Sequence, residues 1–171
     1  MRAAARALYR SRQFFASVRP RVDAGLRAEA FRLLREPERR LFETMTPRDQ
    51  QHGLDVYRRL RSQGHGDPDL LVAALLHDVG KGRIALWHRV AYVLLEAWAP
   101  GLLRRLVLPL EGPGEGTSWR GALYRCAHHP ELGAQLAREA GCPQAVVDLI
   151  RADGTDTGGP SAALRAADEA S

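Results

Sequence analysis

The segment that most limits how this chain can fold is Asp67-Pro68, then the apolar run Leu70 to Leu76, closed by His77-Asp78-Val79-Gly80-Lys81-Gly82. An aspartate followed by proline is a helix start, because the carboxylate caps free N–H groups and proline tolerates the first helical position. Seven consecutive apolar residues leave such a helix no polar face, so other elements must surround it. The spacing predicts a helix reaching Val79, with Gly80 and Gly82 ending it. The run is far shorter than the roughly 18 residues needed to cross a bilayer, so no spanning segment and no membrane partner are expected.

The rest of the chain reads as helices around this one. Apolar positions at helical spacing predict helices over 4–18 and 24–43. Thr46-Pro47 repeats the cap-and-proline signature, with Asp49 in the first turn where its charge suits the helix dipole, and that helix runs to Ser62. Further helices are expected at 85–98, 102–109, 118–128, 130–140 and 143–151, with a last one after Gly158-Gly159-Pro160. Nothing alternates as a half-buried strand would. The expected class is a compact all-α bundle.

Charge divides the chain unevenly. Residues 1–40 hold eleven arginines against Asp23, Glu29, Glu36 and Glu38, and the remainder is slightly acidic. Residues 1–45 are therefore read as an arginine-rich helical arm, and 46–171 as the domain proper. The arm suits a solvated helix, a phosphate-binding face or an organellar transit peptide. A nucleic-acid-binding domain would rest on this arm alone, and no recognition helix is evident, so nucleic acid is not the expected partner. Cys126 and Cys142, in a chain with no secretory signal, read as buried thiols in the cytoplasm.

Imidazole and carboxylate are ligands for divalent transition ions, so the histidines next to acids carry the chemistry. His77-Asp78 closes a helix expected to be buried, and a polar pair at that depth needs a partner, for which an ion is one answer and a capped carbonyl another. His65, between glycines, reads as a loop residue, His88 as a candidate neighbour of the site, and His128 as structural.

His52, His77-Asp78 and a late aspartate resemble the H…HD…D signature of the HD-domain metal-dependent phosphohydrolases. His77-Asp78-Val79-Gly80-Lys81 is similar to the HD-x-GK form of that superfamily's HDIG and HD-GYP branches, and His129-Pro130-Glu131-Leu132-Gly133 to their His-Pro-x-x-Gly element. The similarity spans about residues 46–170. It implies an HD-type helical bundle and a metal shell of His52, His77, Asp78 and Asp168, with Asp153 and Asp148 as fallbacks for the last. It also implies a divalent ion (iron, manganese or a similar transition metal, with magnesium admitted) and hydrolysis of a nucleotide or other small phosphate ester by a metal-activated water. Asp78 and Lys81 are the expected catalytic residues, Lys81 placing an ammonium on a phosphate oxygen. As the one lysine beside 24 arginines, it fits a role that a planar guanidinium fills less well. Arg151 and the Arg120 to Arg125 helix are further candidate phosphate grips, and a homodimer is admitted.

The chain also departs from the pattern. Ala152-Asp153 stands where two-metal branches carry a histidine, and Gly158-Gly159-Pro160 where HD-GYP proteins carry Gly-Tyr-Pro. A second ion could still use His129 and Asp153 around a bridging Asp78. The alternative from a different class is a degenerate HD fold that binds or regulates without catalysis.

Overall fold

The computed structural model describes residues 21–108, 118–152 and 158–171. Their regular structure is helical, with no strand among the described residues. The α-helices are α1 (Ala24–Leu33), α2 (Glu36–Thr44), α3 (Pro47–Ser62), α4 (Pro68–Leu76), α5 (Leu86–Trp98), α6 (Pro100–Leu106), α7 (Trp119–Ala127), α8 (His129–Glu139), α9 (Gln144–Arg151) and α10 (Gly159–Glu169). A single 3-10 turn, Val79–Lys81, follows α4. No helix among the described residues is long and apolar enough to cross a membrane.

α4 is the centre. Every residue from Leu70 to Leu76 is buried, as a helix without a polar face requires. Burying each large side chain of this kind stabilises the fold by roughly 1.5–3 kcal/mol before chain entropy is counted. α3 and α9 pack directly against it, and α1, α2 and α10 close the remaining sides. α3 comes so near because it carries Gly53: a Cβ there would lie 2.9 Å from the Leu75 carbonyl oxygen.

Both cap-and-proline signatures form as their sequences dictate. Thr46 accepts from the Asp49 N–H, and the Asp67 carboxylate accepts from the Asp69 N–H. The expected helix over 24–43 is two helices instead. Pro37 has no N–H to give to an earlier carbonyl and its ring crowds the preceding turn. Leu34 and Arg35 accordingly leave helical geometry, and Glu38 folds back to accept from the Arg35 N–H at 2.7 Å. α4 also stops earlier than Val79: His77 keeps helical angles, but Asp78 turns to φ −89°, ψ 0° and the chain tightens into the 3-10 turn.

The boundary expected at residue 45 does not divide two cores. Ala30, Leu34, Phe42 and Met45 belong to the same buried cluster as α4, so residues 24–45 are part of the domain. The helix expected over 4–18 lies outside the described residues. Both cysteines are free and half-buried rather than fully enclosed.

Candidate metal centre

Three separate stretches of chain deliver the expected ligands to one place. His52 stands in the second turn of α3, His77 and Asp78 follow the last turn of α4, and Asp168 lies at the end of α10. His52, His77 and Asp168 offer ligand atoms that all lie within 4.8 Å of one another. His52 Nε2 is 2.6 Å from Asp168 Oδ1, and His77 Nε2 is 3.4 Å from both Asp168 Oδ1 and Asp78 Oδ1. The two imidazole rings meet edge-on with centroids 5.3 Å apart.

The imidazoles are oriented before any ligand arrives. His77 Nδ1 is 2.9 Å from the Ala74 carbonyl, and His129 Nδ1 is 3.0 Å from the Cys126 carbonyl. A carbonyl can only accept, so in each ring Nδ1 carries the proton and Nε2 is turned toward the carboxylates. Metal-ligating histidines are commonly fixed this way, by a hydrogen bond from the nitrogen that does not bind the ion.

His77 and Asp78 are both 2% exposed, and His77 Nε2 and Asp78 Oδ1 are buried atoms with no hydrogen-bond partner. Lys81 Nζ does approach Asp78 Oδ1 to 2.5 Å, a close ion-pair contact. Burial alone would push the His77 pKa down, but the facing carboxylates of Asp78 and Asp168 raise it further, to about 9. Burial pushes both of those carboxyls up, yet their cationic neighbours hold both well below the usual carboxylate range. For Asp78 these are chiefly His77 and Lys81, and for Asp168 they are His52 and His77. The cluster therefore favours positive charge at its centre. Two imidazole nitrogens and two carboxylates, with His77 Nε2 and Asp78 Oδ1 buried, are a donor set that fits a divalent transition ion.

The glycines of both motifs have a shared physical cause. A Cβ on Gly80 would lie 2.0 Å from the His129 carbonyl oxygen and 2.5 Å from the Gly133 amide nitrogen. Only hydrogen at that position lets the 3-10 turn rest backbone-to-backbone on the first turn of α8. Gly133 is constrained from the other side, where a Cβ would lie 3.2 Å from Ile150 Cγ2. This contact brings His129 Nε2 to 3.9 Å from Asp78 Oδ1. Gly82, at φ +60°, then turns the chain away after Lys81.

Not every expected residue joins the cluster. Asp153, the second expected member of a two-ion site, lies outside the described residues. Asp148 is exposed and bonded to Gln144 along its own helix. His88 stacks on Trp87 with centroids 3.5 Å apart, and His128 packs on Tyr124. Arg120 reaches the Arg105 and Leu106 carbonyls, and Arg151 is exposed at the end of α9.

Asp49 holds a partner that its sequence position did not disclose. It is buried, and Arg89 from α5 grips both of its oxygens at 2.7 Å. Thr46 Oγ1 lies 2.6 Å from the same carboxylate. Asp49 precedes His52 by three residues, one helical turn, so this clamp anchors the turn that carries the first histidine. A sequence signal existed, namely an acid at i−3 of a candidate ligand, but its partner sits 40 residues away inside an apolar helix. Comparison of the chain with family models, curated proteins and solved structures finds no match.

Proposed function

We propose that this chain is a metal-dependent phosphohydrolase of the HD type, acting on a nucleotide or another small phosphate ester. The observation that carries this reading is the convergence of His52, His77, Asp78 and Asp168 from three distant stretches, with the buried His77 Nε2 left without a hydrogen-bond partner at the centre. His52, His77, Asp78 and Asp168 would hold the ion, iron or manganese suiting imidazole better than magnesium. When bound, the ion supplies an activated water and a clamp on a phosphoryl oxygen. The protein's own part is to keep both Nε2 atoms aimed inward through α4 and α3, and to exclude bulk water from the buried His77–Asp78 side. Lys81, a quarter exposed, swings its ammonium between Asp78 and a non-bridging phosphate oxygen and offsets charge that develops during transfer.

A second reading, an HD-like binding module without catalysis, is favoured by one observation. The Lys81–Asp78 contact and the His52–Asp168 bond partly neutralise the cluster without any ion. Metal content separates the two. Protein purified without chelators or a metal column is measured by mass spectrometry, beside His77→Ala and Asp78→Ala. Near-stoichiometric transition metal, lost in both variants, together with hydrolysis in a panel of phosphate esters, is the expected result. No metal, before or after soaking, would sink the enzyme reading and leave the binding module.

A further inference from the structure

All three tryptophans of the chain are substantially exposed: Trp87 at 58%, Trp98 at 84% and Trp119 at 48%. Two of them belong to a continuous stripe. Trp87, Val90, Leu94 and Trp98 follow one another at spacings of three and four residues along α5, and all are exposed large hydrophobic residues. That spacing places them on one side of the helix. α6 and α7, which pack against α5, add exposed Leu102 and Trp119. Scattered exposed apolar residues are ordinary, but a helix-length stripe of them marks an interaction surface.

The charge around this surface says what it meets. Arg83 precedes α5, Arg104 and Arg105 end α6, and Arg120 opens α7. None of the four makes an ion pair among the described residues, and Arg83, Arg104 and Arg105 are exposed. Between residues 82 and 108 the only acid is Glu96. A second copy of the chain meeting this face symmetrically would set arginine against arginine. A surface of anionic lipid supplies the missing charge, and tryptophan is the side chain that settles at the headgroup level of a bilayer.

We propose that α5, with α6 and the start of α7, lies on the surface of an anionic membrane, its apolar stripe entering the headgroup boundary and its arginines meeting lipid phosphates. This is surface attachment of the interfacial kind, in which one apolar helix face is shallowly buried and nothing spans. The short apolar runs that argue against a spanning segment do not bear on it. Residues 1–20, with five arginines and no acid, add charge of the same sign.

The test is co-sedimentation of the full chain with vesicles of phosphatidylglycerol and phosphatidylcholine, against vesicles of phosphatidylcholine alone, at low and high salt. Trp98→Ser/Leu102→Ser removes apolar contact, and Arg104→Glu/Arg105→Glu reverses charge; circular dichroism verifies that both variants fold. Partitioning at least about tenfold stronger onto anionic vesicles, weakened by salt and reduced about tenfold in each variant, is the expected result. Equal binding to neutral vesicles, or none to either, overturns it. So does anionic binding that neither variant changes but deletion of residues 1–20 abolishes, since the arm alone would then be the anchor. A concentration-dependent dimer in analytical ultracentrifugation that Trp98→Ser/Leu102→Ser dissociates would assign the face to a second copy instead.

Discussion

His52 Nε2 and Asp168 Oδ1 lie 2.6 Å apart although 116 residues separate them, so the cluster is also the clasp between α3 and the final helix. Both side chains are about 30% exposed, which makes this a bond at the mouth of the site, with His77 and Asp78 beneath it.

Asp168→Ala removes that bond, a contact of His77 and one ligand of the proposed ion. In the presence of chelator it is expected to destabilise the fold by about 1–2 kcal/mol, the worth of one charge-assisted hydrogen bond at a half-buried place. Hydrogen exchange should localise the loss, with α10 amides opening faster and α4 amides unchanged. Uniform acceleration across the chain would contradict a clasp role.

The order in which the sequence revealed this architecture follows from the range of each interaction. Thr46 and Asp67 bond within three residues of themselves, so both caps were legible. α4 was legible because its burial needs no partner to be named. His52, His77, Asp78 and Asp168 are legible as a set only through the resemblance to the HD-domain signature, because the contacts that bring them together span up to 116 residues. The Asp49–Arg89 clamp was not, because a charge pair between two helices leaves no periodic trace in either. Pro37 stands in plain view, but the apolar spacing over 24–43 runs on across it, so periodicity by itself reads one helix where the chain forms two.

The Asp49–Arg89 pair allows a sharp test. Asp49 is buried, so Arg89→Met leaves an uncompensated carboxylate and should cost about 3–5 kcal/mol in urea unfolding. The double variant Asp49→Leu/Arg89→Met removes both charges and should recover most of that loss. If it unfolds at the same urea concentration as Arg89→Met, the pair is not the source of the effect.

Gly80→Ala tests the backbone contact between the 3-10 turn and α8. A Cβ 2.0 Å from the His129 carbonyl oxygen cannot be accommodated without moving the turn, so a loss of about 3 kcal/mol or more is expected, with metal affinity falling too. Gly66→Ala has open space around it and serves as the matched control, with a change of about 0.5 kcal/mol or less. Similar stability in the two variants would contradict the contact.

Cys142 supplies a pH-dependent readout away from the centre. Burial pushes its thiol up and Glu38 pushes it further, against Arg35, to about 11. A thiol with a raised folded pKa favours the fold fully below its unfolded value near 9, and the contribution is lost as pH rises through 11. At pH 8.5 the native thiolate fraction is then about a hundredfold below that of the unfolded chain. Iodoacetamide should label Cys142 correspondingly slowly in the folded protein, faster in Glu38→Gln, and fully in urea. Equal native and unfolded rates would remove the argument.

Lys81→Met separates the two roles assigned to that residue. Its ammonium sits 2.5 Å from Asp78 Oδ1, where a divalent ion would also have to bind, so the two cations compete for one carboxylate. Removing the competitor should tighten manganese binding, by about tenfold if the pair behaves as a partly screened one, while Asp78 keeps its attraction to His77. Titration calorimetry on chelator-treated protein measures this directly. If Lys81 also meets the substrate phosphate, hydrolysis at saturating metal should fall in the same variant, so affinity and activity move in opposite directions. A variant that binds manganese more weakly would show that Lys81 organises the carboxylate rather than guarding it. Unchanged hydrolysis in Lys81→Met would remove it from the chemistry and leave Asp78 to act with the imidazoles alone.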